Sequence, residues 1–251
     1  MSPEPATGRL RWSRSIIIKL TKEIRVGCDK RSQIFVVKCL NNSNSPYVPI
    51  DQNMVAKIYD PLYHDFSFND EDPFLGVDYD YTHECAAYMH LSNLQGSVIP
   101  RFFGSYTLTI NLGENSRHVR LILIEHIDGL SMDRLNPEMF PREERQEIMK
   151  QIINGESSLY TKYGSRLLDD RNPSNSKKEK QYHPGVAISP LLRWNVVYRR
   201  QAYFHEWIDW PRQAWLEAQY KDTEATITAE QREIWAIEDW MLEAKGPPPI
   251  E

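Results

Sequence analysis

Five runs of β-branched and aliphatic residues crowd into the first half of this chain, and the second half changes character toward helix. The runs are Ser15 to Leu20, Gln33 to Cys39, Met54 to Tyr59, Arg101 to Ile110 and His118 to Glu125. Polar turns containing Asn and Gly separate the first three, as in an antiparallel meander, and Gly113-Glu114-Asn115-Ser116 joins the last two. Between the third and fourth runs, Cys85, Tyr88, Met89 and Leu91 give Thr82 to Leu94 the spacing of an amphipathic helix, with Thr82 as its cap. The stretch His64 to Asp80 before it is acidic and aromatic and lacks a helical period. Strands segregated from helices in this way predict an α+β fold rather than alternating strand-helix units.

The strongest helical pattern runs from Pro141 to Tyr163, with Ile148, Ile152, Ile153, Leu159 and Tyr160 on one face and Glu and Arg gathered in the first turns. Trp207 to Tyr220 and Thr228 to Ala244 read as tryptophan-rich helices, and Asn172 to Lys180 as a polar loop. Trp194, Trp207, Trp210, Trp215, Trp235 and Trp240 are expected to fasten helices by packing rather than to stack on a ligand. Gly246-Pro247-Pro248-Pro249 ends regular structure.

Composition narrows the function classes. A chain of 251 residues, 41% apolar, buries one sizeable core or two small lobes. A net charge of -5 with dispersed Lys and Arg argues against a nucleic-acid partner. Cys28, Cys39 and Cys85 have no metal-ligand spacing and leave one thiol over, which suits reduced cysteines in the cytoplasm or the nucleus. Met1 to Gly8 lacks the apolar stretch of a secretion signal, and the longest aliphatic runs fall far short of the roughly 20 residues that span a bilayer. No membrane association is expected.

Certain residues bring chemistry to this framework. Asp170-Arg171-Asn172-Pro173-Ser174-Asn175 sets an aspartate and an asparagine five residues apart, the spacing of a kinase-fold catalytic loop. In that loop the Asp orients the attacking hydroxyl and the Asn holds magnesium. Val55-Ala56-Lys57 resembles the third-strand motif whose ammonium contacts the α and β phosphates of ATP, and Glu84 falls on the following helix, where a carboxylate fixes that lysine. Between the first two strands, Arg31 and Ser32 offer a cation and a hydroxyl to phosphate, although a single glycine, Gly27, stands where a Gly-rich loop has three. The hinge that reads adenine would run through Glu125 and Ile127. Three features oppose catalysis, one being that only Ser176 to Lys180 separate Asn175 from Gln181, too few residues for the strand pair that delivers a metal aspartate. Leu168 replaces the histidine that usually braces the loop, and no Asp-x-Gly turn follows Asn175 to supply the principal magnesium carboxylate.

Met54 to Tyr63, the helix around Glu84, Ile99 to Tyr106, Arg120 to Glu125 and Gln181 to Trp194 resemble a family of kinase-like proteins expanded in filamentous fungi. That family belongs to the protein-kinase-like superfamily, nearer to aminoglycoside and choline phosphotransferases than to typical protein kinases. The resemblance spans roughly residues 14 to 240. It implies a two-lobed protein-kinase-like fold, with a small antiparallel β lobe over residues 14–125 and a truncated helical lobe over 126–245, flanked by a flexible start at 1–13 and a Pro-rich tail at 246–251. It gives Lys57, Glu84, Asp170 and Asn175 the roles stated above. Relatives carry an Asp-Phe-Gly-like element before the segment matching Gln181 to Trp194, and here it is missing. The expected function is therefore a catalytically impaired pseudokinase that binds ATP and magnesium weakly or not at all and acts through nucleotide or protein contacts. The alternatives are an active ATP- and magnesium-dependent phosphotransferase acting on a small-molecule or protein hydroxyl, and a non-functional fragment with an internal deletion.

Overall fold

The five runs form a single antiparallel sheet. Its strands are β1 (Ile17–Arg25), β2 (Gln33–Asn41), β3 (Asn53–Tyr59), β4 (Phe102–Leu112) and β5 (Asn115–Glu125), in the spatial order β1-β2-β3-β5-β4. The computed structural model describes residues 15–28, 30–42, 47–63, 72–163, 189–195 and 204–234. The chain divides into two units, Met1–Asp128 and Gly129–Glu251. The fold is α+β, as the segregation of strands from helices predicts.

Alternation along the strands separates two apolar faces in the first unit. Val37 and Cys39 of β2, Met54, Ala56 and Ile58 of β3, and Val119, Leu121 and Leu123 of β5 form one cluster. Residues out of phase with these, Tyr59, Ile122 and Ile124, join a second cluster on the other face with Val77 and Cys85. Met54, Leu121 and Leu123 are fully buried, and each such side chain contributes roughly 1.5–3 kcal/mol of burial free energy. The first cluster also gathers Ile16 and Ile18 from one end of the strand order and Phe103, Tyr106, Leu108 and Ile110 from the other. Residues of both edge strands line a common cavity of about 750 Å³. The sheet is thus curled until its edges share a core.

Two glycines make the geometry of β4 and β5 possible. Gly104 sits at a bulge between the pairs Phe102–Ile124 and Gly104–Leu123, with φ of 124°. A Cβ there would lie 3.3 Å from the Tyr106 ring. Gly113, with φ of 67°, opens the two-residue turn before Asn115, where a tight hairpin needs glycine first. The turn is shorter than the four residues expected, because Asn115 pairs with Leu112 and extends β5.

The second face is covered by helix α1 (Pro73–His90), which begins nine residues earlier than the pattern predicts. Asp72 is its cap, accepting a hydrogen bond from the Phe74 N–H at 2.8 Å, and Pro73 occupies the first helical position. Thr82 is not the cap. Its hydroxyl turns back to the carbonyls of Asp78 at 2.8 Å and Tyr79 at 3.0 Å, a mid-helix arrangement. The buried stripe runs through Val77, Tyr81, Cys85 and Tyr88, with Tyr88 stacked on Phe102 at 5.2 Å.

In the second unit, α2 (Arg142–Tyr163) matches the predicted helix almost residue for residue, and α3 (Pro190–Asn195), α4 (Arg212–Tyr220) and α5 (Ala229–Ile234) follow. Met149 and Ile153 of α2 pack with Trp194, Trp207, Trp210, Leu216 and Tyr220. Here Trp194, Trp207, Trp210 and Trp215 are packing residues; Trp235 and Trp240 lie outside the described residues. The single helix expected over Trp207 to Tyr220 is instead a 3-10 turn at His205–Trp207 and then α4, separated by extended backbone that ends at Pro211. Buried Arg145 ties that break to α2. It donates to the Trp207 carbonyl at 3.2 Å and to the Asp209 carboxylate at 2.7 Å, and Arg142 reaches the other Asp209 oxygen at 3.1 Å. The Arg145 hydrogen bond holds the Asp209 carboxyl below its ordinary range.

Candidate functional site

Lys57 lies mid-sheet, opposite Ile34 of β2 and Ile122 of β5. Strand alternation turns it to the face that α1 covers, where an alternating apolar run would place a hydrophobic side chain. Its ammonium donates to both carboxylate oxygens of Glu84, just past the middle of α1. The two side chains are 19% and 25% exposed, so the pair is shielded yet reachable from solvent. The predicted partners therefore meet, and the strand and helix that carry them are fixed by the second apolar cluster.

A third member was not foreseen. The Tyr59 hydroxyl donates to Glu84 Oε2, the oxygen that also accepts from Lys57. Tyr59 is 2% exposed, and burial, followed by the adjacent Glu84 charge, drives its phenol far above the ordinary tyrosine range. Its ring meets that of Tyr81 edge-on at 5.7 Å. Spacing held a clue, since Tyr59 is two residues beyond Lys57 and so on the same face. A tyrosine at a strand end, however, reads first as packing.

One turn before Glu84, Asp80 accepts from Arg31 at 3.0 and 3.2 Å. Arg31 is thus engaged with α1 at the surface. Ser32 is buried, and its hydroxyl accepts from Arg25 at 3.4 Å. Their neighbour Gln33 is also buried, and its side chain closes the β1–β2 turn. Its Oε1 accepts the Gly27 N–H at 2.8 Å, and its Nε2 donates to the Gly27 carbonyl at 2.9 Å and to the Lys30 carbonyl at 3.4 Å. The sequence does not mark Gln33, because a glutamine at the start of a strand carries no signal of burial.

Glu125 joins β5 to the start of β4: its carboxylate accepts the Arg101 N–H at 3.0 Å and its own N–H donates to the Arg101 carbonyl at 2.8 Å. Ile127 lies beyond the strand and is 63% exposed. The fold brings Lys57 and Glu84 together with Tyr59, and brings Arg31 to the same helix. Asp170 and Asn175, with Leu168, lie outside the described residues.

An ammonium held by a carboxylate on a rigid strand can meet a phosphate oxygen without first losing side-chain freedom, so Lys57 fits a phosphate ligand. The β1–β2 turn fits one less well, since the amide that would approach phosphate is committed to Gln33. Among the described residues no group of three or more His, Cys, Asp or Glu side chains converges as a metal site, and no helix is long and apolar enough to cross a membrane. No protein-family model matches the chain, and no curated protein or solved structure was found to match it.

Proposed function

We propose that this chain is a kinase-fold protein with ancestry in ATP-dependent phosphotransfer, catalytically impaired, that acts through nucleotide or protein contacts. The Lys57–Glu84 pair carries this reading: a third-strand lysine joined to a carboxylate on α1, which packs on the second face of the sheet. Impairment rests on the sequence, which lacks an Asp-x-Gly turn after Asn175 and has Leu168 two positions before Asp170. Phosphoryl transfer depends on metal to neutralise charge on the transferring group, and without that carboxylate Asn175 would be the sole protein ligand for magnesium.

The same pair favours one competing reading, an active phosphotransferase with Asp170 orienting the acceptor hydroxyl, because such an enzyme requires the lysine and glutamate to be joined. Thermal melting of the full chain with ATP, with and without magnesium, separates the two. A weak binder gives a small shift in Tm that magnesium hardly changes, since ligand stabilisation follows concentration over Kd. A large magnesium-dependent shift that Lys57→Ala and Asn175→Ala both abolish overturns the impaired reading in favour of the enzyme.

A further inference from the structure

We propose that Tyr59 is a positioning residue for Lys57, clamping the Glu84 carboxylate so that the ammonium is held in place before any nucleotide arrives. The role assigned to Lys57 rests on the nucleotide reading above; the clamp itself rests on geometry.

Glu84 Oε2 accepts from the Lys57 ammonium and the Tyr59 hydroxyl, while Oε1, among the described residues, accepts from Lys57. A lysine by itself holds a carboxylate loosely, because its ammonium is a point charge on a flexible stem. A phenol is different. The Tyr59 ring is buried to 2% exposure and wedged edge-on against Tyr81, so its hydroxyl points from a fixed place. The three groups also span a strand and a helix: Lys57 and Tyr59 sit two residues apart on β3, and Glu84 comes from α1. Fixing the carboxylate fixes α1 against β3 at that level, and the lysine follows. Kinase-fold sites that switch do so by parting the lysine from the glutamate. A second, uncharged, buried donor on the same oxygen opposes that parting, so the site is assembled in the resting protein.

The test reads Lys57 directly. Full-length protein is treated briefly with acetic anhydride, and acylation of Lys57 is quantified by peptide mass spectrometry against exposed Lys22. Tyr59→Phe keeps the ring and removes the hydroxyl. The expected result is a rise in Lys57 acylation of about 10-fold, the lower end of the scale for losing one hydrogen bond to a charged group. Glu84→Gln should raise it by at least as much, and the double variant should match Glu84→Gln alone, because the tyrosine acts only through the carboxylate. Unchanged acylation in Tyr59→Phe, or effects that multiply in the double variant, overturns the clamp. If Tyr59→Phe does not fold, the native chain labelled with 13C at the tyrosine Cζ gives a second reading. The Tyr59 signal should move on Glu84→Gln substitution, and a signal that stays put overturns the proposal. ATP binding to the native chain, measured separately, decides the nucleotide reading: with Lys57 coupling present and ATP binding absent, the clamp stands and the role of Lys57 in nucleotide binding falls.

Discussion

Asp80 and Glu84 stand one helical turn apart on α1, and each meets a different cation, Arg31 from the β1–β2 turn and Lys57 within β3. The two pairs have unequal surroundings. Arg31 is 55% exposed, whereas Lys57 is 19% exposed and shares its carboxylate with a buried phenol. Exposed pairs are screened by water and add little.

Arg31→Ala is therefore expected to change unfolding free energy by no more than about 0.5 kcal/mol. Glu84→Ala is expected to cost about 2–4 kcal/mol, because it strands the Lys57 ammonium and the Tyr59 hydroxyl at once. Urea denaturation of both variants gives the comparison. Equal costs would mean that the Lys57 pair gains nothing from its shielded position.

The β1–β2 turn should be stiff, and Gln33 should be the reason. Replacing it with alanine removes three hydrogen bonds and leaves the Gly27 amide without its partner, at a cost of about 1–3 kcal/mol. Hydrogen exchange at Gly27 should accelerate markedly in Gln33→Ala while amides of β3 stay protected. Unaltered exchange at Gly27 would show that the turn is held by other contacts.

Stability is expected to fall at alkaline pH. Burial, with the nearby Glu84 charge, pushes the Tyr88 phenol up to about 12, and burial with Glu147 pushes Tyr220 up to about 12. Tyr59 shifts in the same direction. A phenol whose folded pKa is raised keeps its proton in the native state while the unfolded chain begins to lose its own near pH 10. The native state then binds more protons, so its stability is intact below about pH 10 and declines from there through about pH 12. Denaturation midpoints between pH 8 and pH 12 measure this, and a flat profile would contradict the burial of these hydroxyls.

Much of the first unit was legible because β-branched runs and strand alternation report the same burial. Met54, Ala56 and Ile58 announce one face, and Val55 and Tyr59 announce the other. The same alternation puts Lys57 on the face of Val55 and Tyr59, and the structure shows that α1 covers it. The start of α1 was hidden, because Asp78 and Asp80 interrupt the apolar period; the pair Asp72-Pro73 was the local signal, and it outweighs the pattern. Tyr59 and Gln33 were missed for another reason. Their bonds join groups that only the folded chain brings together, Tyr59 to Glu84 across 25 residues and Gln33 to a turn whose closure is not encoded by glycine spacing. In the second unit, Arg145 resembled an ordinary surface arginine near a helix start, and only the return of the chain at Trp207 and Asp209 buries it.

The curl of the sheet sets an order of events in time. Ile16 and Ile18 reach their apolar cluster alongside Leu108 and Ile110, which are synthesised about ninety residues later, so the first strand of the protein waits for the fourth before its core can close. Long-range closure of this kind is slow compared with hairpin formation, and the β4–β5 hairpin, turning at Gly113, is the piece best able to form by itself. The nascent β1 strand, with Ile17, Leu20 and Ile24 still more than 40% exposed in the finished fold, is then the segment most in need of protection while the chain is being made.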